Sequence, residues 1–352
     1  MDPRVKKMLQ ALVSLVIVAL IFWYVQRQFA DLSSVWVAFK TLTWREIGVL
    51  AAVTVWNLVT YWFVIVLATP GLTYPQAAVM TQATTAVSNS TPAGGAIGVG
   101  LTYTMLSSWG FSKSRGTLSV VVTGIWNNFV KLGTPILALA IVALQGQPSG
   151  GRVVAAALGI AGLGGAIALF SLILRSETFA ARTGVVLARW TSRLRALVRR
   201  GPVTGWDLAI TKFRSRVLEL VQDRWARLSV ATIVSHASLY AVLVISLRVM
   251  GVSDAEVGWA QILTVFAFAR LVTAIPLTPG GLGVVELALI AGIIRAGGDE
   301  APVVAAVLLY RLLTYVLPIL LGGLTYVYWR RNSSWRNSAP PMTLSAAAAN
   351  KA

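Results

Sequence analysis

The sequence contains no cysteine, one histidine (His236) and few acidic residues, 12 Asp and Glu against 30 Lys and Arg. The absence of thiols excludes disulfides, thiolate nucleophiles and sulfur-ligated metals, and a single imidazole excludes a histidine metal cluster. No acidic pair has metal-binding spacing, and neither the phosphate-binding GxxxxGK(S/T) motif nor the GxSxG nucleophile elbow occurs. Neither a cofactor nor an enzymatic activity is therefore expected.

Apolar residues dominate the chain: 57% of its 352 residues are hydrophobic, 12% are charged, and the mean hydropathy is +0.74. Several apolar runs of bilayer length are expected from such a composition. In a soluble protein a net charge of +18 indicates nucleic-acid binding, but here the charges flank apolar runs. The sequence therefore predicts an all-α polytopic membrane bundle without a nucleic-acid partner.

Six segments predict simple crossings, because runs of about 20 residues at about 1.5 Å each cover a hydrocarbon core of about 30 Å. The first lacks small residues at a cleavage position, so we interpret it as an uncleaved span and not as a signal peptide. The six predicted spans are Met8 to Tyr24, Ile47 to Ala68, Gly116 to Leu144, Val153 to Leu174, Leu228 to Leu247 and Val303 to Trp329.

Two further apolar regions, residues 76–109 and 259–296, are too long for one upright helix and are interrupted near the middle. STPAGG (Ser90 to Gly95) interrupts the first, and PLTPGG (Pro276 to Gly281) interrupts the second. Each arm then has about 14 to 17 residues, or about 21 to 25 Å of helix, which is short for a crossing. We therefore predict two re-entrant hairpins; ten full spans are an alternative with the same sidedness.

Charge placement predicts the orientation, since cytoplasmic loops carry an excess of Lys and Arg. Basic residues precede the first span, and residues 175–227 carry 12 Lys and Arg. The sequence therefore predicts cytoplasmic N- and C-termini, a basic cytoplasmic segment at 175–227 and a single transmembrane domain at 1–331. A disordered polar tail is predicted at 332–352.

The two interrupted regions share an order of features that indicates an inverted repeat, residues 47–144 and 228–329. In both, a Thr-Pro pair and paired glycines precede a short apolar stretch, a glycine turn and a proline-containing span. Broken helices are tolerated in a bilayer only where protein or water satisfies their backbone, so the two breaks are expected to meet inside the protein. Half-helix N-termini there would attract an anionic group; two simple kinks in packed helices are the alternative.

Ionisable side chains deep in apolar segments are costly, so each is a functional candidate. Arg270 and Arg311 are expected to neutralise an anionic head group, while Glu286 either carries a proton or holds an arginine in a structural pair. Lys131 can snorkel, and His236 is either an interior histidine or a proton relay. With the residues of the breaks, the predicted substrate-binding set is Thr91, Pro92, Gly94, Gly95, Arg270, Pro279, Gly280, Gly281, Glu286 and Arg311.

The order of these motifs resembles the lysylphosphatidylglycerol synthase transmembrane-region family of flippase-like integral membrane proteins. STPAGG, GFS, the basic segment, IPLTPGGLGVVE and a YR pair before a late proline carry the resemblance, which extends to about Arg331. It implies a bacterial inner-membrane protein that translocates lipids or serves as the membrane module of lipid modification. Gly100 stands where the second hairpin has Glu286, which argues against a symmetric two-site mechanism.

We therefore expect a flippase- or scramblase-like translocator of an anionic phospholipid or glycolipid, with membrane lipids as its partners. The alternative is a non-catalytic membrane scaffold for a separately encoded lipid- or glycan-modifying enzyme. A homo-oligomer or a soluble enzyme partner is compatible with these functions.

Overall fold

The computed structural model describes residues 40–91, 94–144, 150–196, 201, 205–273, 278–332 and 335. Every regular element in these ranges is a helix, and no strand occurs among them, which confirms the all-α fold class. The predicted first span, Met8 to Tyr24, and almost all of the predicted tail at 332–352 lie outside the described residues.

The first half of the described chain contains four helices, two of which begin with a capping box. Thr43 accepts a hydrogen bond from the backbone N–H of Glu46 at 3.3 Å, and the Glu46 carboxylate accepts one from the backbone N–H of Thr43 at 2.8 Å. Thr73 and Gln76 repeat this exchange at the next helix, so orphan N–H groups are satisfied at both starts. The helices are α1 (Trp44–Ala68), α2 (Tyr74–Ser90), α3 (Gly94–Ser108) and α4 (Lys113–Leu144).

The second half of the described chain contains seven α-helices and two short turns of other helix types. A 3-10 turn lies at Pro279–Gly281 and a π-helical turn at Leu312–Val316. The π-helical turn joins the last two α-helices into one long rod, residues 300–331. The helices are α5 (Gly150–Arg175), α6 (Glu177–Ala196), α7 (Trp206–Val249), α8 (Trp259–Val272), α9 (Val284–Arg295), α10 (Glu300–Arg311) and α11 (Leu317–Arg331).

Four helices of the described chain are long and apolar enough to cross a bilayer: α1, α4, the rod and residues 210–249 of α7. α5 meets that criterion only together with α6, from which it is bent by 112°. The protein is therefore a multi-pass membrane bundle with four to five candidate spans in its described part. Five of the six predicted segments lie within these helices.

α7 is longer than the predicted span at 228–247. It has 44 residues, or about 66 Å at about 1.5 Å per residue, and therefore extends well beyond a hydrocarbon core of about 30 Å. Its first half belongs to the basic segment at 175–227, where α6 packs beside it. The basic segment is therefore largely helical and continuous with a candidate span.

α2 and α3 form one helical hairpin, and α8 and α9 form a second. The chain entering the first hairpin contacts the chain leaving it, since a Cβ added at Gly71 would lie 3.7 Å from Cε1 of Phe111. At the second hairpin, a Cβ added at Gly297 would lie 3.1 Å from the backbone oxygen of Glu256. The two ends of each helix pair therefore lie close together.

The bases of the two hairpins lie at opposite ends of the rod. The second hairpin ends directly before Glu300, where the rod begins. The first hairpin ends beside the other end of the rod, where the indole N–H of Trp329 donates to Ser108 at 3.2 Å. The hairpins therefore enter the bundle from opposite ends.

The two halves of the bundle pack against each other reciprocally. α1 packs along α7, α4 packs along the first arm of the second hairpin, and α11 packs along the first arm of the first hairpin. At this last contact the backbones approach closely, because a Cβ added at Gly322 would lie 2.2 Å from the backbone oxygen of Gln82. Each hairpin is thus supported by a helix of the other half.

Buried apolar side chains pack on both hairpins. The largest cluster surrounds the second hairpin and joins α7, α8, α9 and α10. Another cluster joins the first hairpin to the end of the rod through Met80, Met105, Trp109 and Trp329. Apolar packing therefore holds the arms of both hairpins, whereas Ser90, Gly95 and Gly280 at the breaks are exposed, so their backbone is open to water.

The two ends of the bundle differ in charge. Arg216 of α7 donates to the Ser114 hydroxyl, and Arg224 donates to the backbone oxygen of Leu67 at 3.5 Å. The basic segment therefore lies where α1 ends and α4 begins, and the rod ends there in two arginines. The opposite end, called the acidic end, carries Glu46, Asp254, Glu256, Asp299 and Glu300 among the basic residues Lys40, Arg45, Arg248 and Arg295.

Candidate functional site

The two helix breaks meet, as the sequence predicts, at a point where Ser90 and Gly280 are exposed. Gly280 lies in the turn of the second hairpin with φ 57°. A Cβ added there would lie 2.6 Å from the side-chain oxygen of Asn89, at the end of α2, and 2.5 Å from Cε2 of Tyr315. The Tyr315 hydroxyl donates to the backbone oxygen of Asn89 at 2.8 Å. Tyr315 therefore links both hairpin tips to the rod.

Glu286 and Arg311 form a buried ion pair beside these tips. Nε of Arg311 donates to Oε1 of Glu286 at 2.6 Å, and the two side chains are 12% and 9% exposed, respectively. The guanidinium also lies over the Tyr315 ring, 4.3 Å from its centroid, in a cation–π arrangement. Glu286 is in the first turn of α9, where the helix dipole favours a carboxylate. The pair thus fixes the second hairpin to the rod.

A polar cavity of about 420 Å³ lies in the middle of the bundle. Its lining combines Lys131, His236 and Arg270 with residues from the middle of α1 and α2 and from the π-helical turn. No Asp or Glu is among the described residues that line it. The central cavity therefore has a positive charge that no lining carboxylate offsets.

Four residues of the central cavity hold a buried polar atom without a hydrogen-bond partner in the described part of the chain. They are the Thr81 hydroxyl, Oε1 of Gln82, Nε2 of His236 and Nε of Arg270. Thr81 and Gln82 are only 6% and 4% exposed. Because buried polar groups normally have a partner in protein, water or ligand, these atoms are suited to a polar guest.

A second cavity of about 250 Å³ adjoins the first and shares Tyr61, Thr81 and Thr85 with it. Hydroxyl groups of α2, α3 and α4 line it, up to Ser119. The hydroxyls of Ser119 and Thr69 are hydrogen-bonded to each other at 2.6 Å. Thr69 lines a third cavity of about 400 Å³, which we call the end cavity. The three cavities therefore form a series from the middle of the bundle to its basic end.

Five of the predicted site residues lie at a cavity or at the meeting point of the tips. Arg270 lines the central cavity, and Gly95 lines the adjoining one. Gly280, Glu286 and Arg311 lie at the tips, where the expected approach of Glu286 to Arg311 is confirmed. The second hairpin thus supplies most of the predicted residues that come together.

The other five predicted residues shape the turns or are described only in part. The Thr91 hydroxyl donates to a backbone oxygen of its own helix at 2.7 Å. A Cβ added at Gly94 would lie 2.2 Å from a backbone oxygen of α2, and Gly281 has φ 71°. Pro92 lies outside the described residues, and Pro279 is described only as backbone of the 3-10 turn.

The sequence prediction missed the amide groups of the central cavity. Its binding set also omitted Lys131 and His236, although both line this cavity together with Arg270. A search limited to ionisable groups does not detect amides, yet an amide inside an apolar span is also costly without a partner. The missed amides are Asn57, Gln82, Asn127 and Asn128.

Comparison with known proteins identifies a family and a relative. The family model described as "Lysylphosphatidylglycerol synthase TM region" matches residues 11–322. A UPF0104 membrane protein of Methanocaldococcus jannaschii is 45% identical over 64 residues, which are 18% of this chain and 27% of that relative. The chain therefore matches less than a third of the length of this curated relative.

Proposed function

Because the chain belongs to the lysylphosphatidylglycerol synthase transmembrane-region family, we propose that it translocates an anionic phospholipid or glycolipid between membrane leaflets. It acts as a flippase- or scramblase-like protein that is not driven by ATP. The head group passes through the protein while the acyl chains stay in the bilayer.

The positive central cavity is the observation that carries this proposal. A charged side chain at the bilayer centre costs about 2.5 to 3.5 kcal/mol on insertion scales, so Lys131 and Arg270 favour water or an anionic partner. Both line the same cavity as His236, and the amides around them offer hydrogen bonds. This lining replaces the hydration of a phosphate and so lowers the cost of its passage through the bilayer core.

The series of cavities supports a route for the head group towards the basic end of the bundle. The adjoining cavity offers hydroxyl groups, and the hydrogen bond between Thr69 and Ser119 separates it from the end cavity. Arg115, Arg216 and Arg224 line the end cavity together with Glu219 and Asp223, which leaves an excess of one positive charge among its lining residues. Arginines near a membrane surface attract anionic lipids, so lipid enters or leaves the route there.

The residues of the two breaks give the hairpins their shape beside the route. In the sequence Thr91, Pro92 and Pro279 stand beside the paired glycines, and these helix-breaking sequences let the tips shift as a head group passes. Glu286 and Arg311 hold the second hairpin to the rod during this movement. The glycines of this proposal are Gly94, Gly95, Gly280 and Gly281.

The charge distribution supports an orientation in which the basic end faces the cytoplasm of a bacterial cell, across its inner membrane. Both chain termini then lie in the cytoplasm. The hairpin arms have 17, 15, 14 and 12 residues, or about 18 to 26 Å, which is short for a crossing. Re-entrant hairpins and six spans, related as an inverted repeat, are consistent with the reciprocal packing.

Leaflet exchange in reconstituted vesicles tests the proposal. Fluorescent phosphatidylglycerol in both leaflets is bleached by a reductant that does not cross the membrane, and complete bleaching reports exchange. We expect wild-type protein to exceed empty vesicles, and Lys131→Gln and Arg270→Gln to reduce the rate at least tenfold. Lys212→Gln, the same change at an exposed site in the basic half of α7, is expected to keep the rate.

Two results would contradict translocation. One is exchange no faster than in empty vesicles, and the other is an unchanged rate in both cavity variants. Copurification of a stoichiometric soluble enzyme, with no exchange by the protein alone, would favour a membrane scaffold instead.

A further inference from the structure

The unpartnered atoms of the central cavity differ in hydrogen-bonding character. Nδ1 of His236 lies 3.1 Å from the backbone oxygen of Thr232, so the neutral ring donates through Nδ1 and leaves Nε2 as an acceptor. Oε1 of Gln82 is also an acceptor, whereas Nε of Arg270 is a charged donor. A guest that satisfies all three atoms must therefore both accept and donate hydrogen bonds.

A phosphodiester alone does not meet this requirement, because its oxygens only accept hydrogen bonds. Hydroxyl groups attached to the phosphate supply donors for Gln82 and His236, while the phosphate takes the positive charge of Lys131 and Arg270. An ammonium group also donates, but it brings a positive charge into the positive cavity. Glu286 does not offset that charge, because it is paired with Arg311.

Given the translocation proposed above, we infer that the central cavity accepts a phosphate head group bearing uncharged hydroxyls, such as phosphoglycerol or a phosphosugar, and discriminates against aminoacylated head groups. The lysyl ester named in the family description adds two ammonium groups to one phosphate, which makes the head group net positive. The substrate is therefore the unmodified anionic lipid.

A comparison of three labelled lipids in the same vesicles tests this inference. Phosphatidylglycerol carries a phosphate and two hydroxyls, phosphatidylcholine has no hydrogen-bond donor, and lysylphosphatidylglycerol is net positive. We expect phosphatidylglycerol to exchange at least tenfold faster than lysylphosphatidylglycerol and faster than phosphatidylcholine. The order of the three exchange rates must be the same in vesicles of different surface charge. It then reflects the preference of the cavity and not the charge of the membrane.

Adding a carboxylate to the cavity must change this preference. Asn128→Asp is nearly isosteric, and Lys131→Glu reverses a charge in the same helix. Both are expected to reduce the preference for phosphatidylglycerol over lysylphosphatidylglycerol at least tenfold. The matched control Lys212→Glu, on the exposed part of α7, is expected to keep it. Asn128→Asp decides the matter if Lys131→Glu does not fold.

The outcomes separate the two proposals. If lysylphosphatidylglycerol exchanges as fast as phosphatidylglycerol, the inference is overturned and translocation stands. If no lipid exceeds empty vesicles, translocation is overturned, and thermal unfolding in detergent with each added lipid decides the inference. Greater stabilisation by phosphatidylglycerol than by lysylphosphatidylglycerol would then support it, whereas equal or reversed stabilisation would overturn it.

Discussion

The Glu286–Arg311 pair leaves Oε2 of Glu286 and Nη2 of Arg311 buried without a partner in the described residues. Removing one member of a buried pair costs about 3–5 kcal/mol, because an uncompensated charge remains, whereas replacing both members avoids that cost. We expect Glu286→Gln and Arg311→Met each to lower the Tm in detergent. The double variant is expected to recover most of the loss.

Leaflet exchange by the double variant separates the two roles of Glu286. If the carboxylate only holds the arginine, the double variant exchanges lipid at close to the wild-type rate. If the carboxylate carries a proton, the double variant is stable but does not exchange lipid. A double variant less stable than either single variant would contradict a structural pair.

Gly280 is expected to tolerate no side chain, because its turn touches both Asn89 and Tyr315. A positive φ costs an L-residue about 1–2 kcal/mol, and Gly251 allows this cost to be measured alone, since it has φ 96° and nothing within 4 Å of an added Cβ. Gly280→Ala is expected to lower the free energy of unfolding by about 1–3 kcal/mol more than Gly251→Ala does, which is the usual cost of overpacking. Equal losses at both positions would show that the tip contact is unimportant.

The sequence predicts the site residues unevenly. Glu286 belongs to the second hairpin and Arg311 to the span that follows it directly, so the spacing in the sequence is enough to predict that they approach each other. Lys131, His236 and Arg270 belong to α4, α7 and α8, and their convergence depends on how these helices pack. Local pattern does not determine that packing, so the sequence does not predict that Lys131 and His236 line one cavity with Arg270.

At the scale of helices, Gly322 and Gly323 are neighbours on α11 with different surroundings. A Cβ at Gly322 would lie 2.2 Å from a backbone oxygen of α2, whereas one at Gly323 has nothing within 4 Å. Gly322→Ala is therefore expected to separate α11 from α2 and to lower the Tm. Gly323→Ala is expected to leave the Tm unchanged or to raise it, since Ala is favoured over Gly in a helix by about 1 kcal/mol.

The expected difference in Tm between Gly322→Ala and Gly323→Ala depends on the packing of the rod against the first hairpin. Thermal unfolding in detergent is the measurement, with retention volume in size exclusion as the check on folding. The same response at both glycines would mean that α11 and α2 do not approach as closely as described.

α7 shows why helix ends are harder to predict than membrane boundaries. The apolar run that starts at Leu228 is preceded by Arg227, where the hydropathy falls towards the N-terminus. Between Trp206 and Val249 there is no proline or glycine, and Arg, Lys, Glu and Leu are good helix formers. The helix therefore continues beyond the apolar run. The change in polarity at Arg227 marks the boundary between membrane and water and not the end of the helix.

At the scale of the molecule, the absence of cysteine makes the orientation directly measurable. Ser215→Cys lies in the basic half of α7 and Ser253→Cys in the acidic end, and both positions are exposed. A maleimide that does not cross the membrane is expected to label Ser253→Cys in intact cells and Ser215→Cys only in inverted vesicles. Labelling of both variants from one side would contradict the opposed ends, and the reverse pattern would contradict a cytoplasmic basic end.

The positions of the helix breaks follow from the sequence because proline and glycine act on the backbone locally. α2 ends at Ser90 in STPAGG, the 3-10 turn at Pro279–Gly281 lies in PLTPGG, and Gly110 and Gly297 have positive φ at the hairpin bases. Charge counting likewise agrees with the basic and acidic ends of the bundle. The reciprocal support of each hairpin by a helix of the other half is a tertiary property, and it emerges only from the assembled bundle.

The π-helical turn at 312–316 lies between two contacts of the rod that depend on its rotation. Arg311 faces Glu286 before the turn, and Gly322 faces Gln82 after it. The turn holds one residue more than an α-helical turn, with the N–H of Leu317 bonded to the oxygen of Leu312. Loss of one residue would rotate Gly322 by about 100° relative to Arg311. In an alignment of related chains, a gap at this turn would therefore mark a protein in which one hairpin has lost its support.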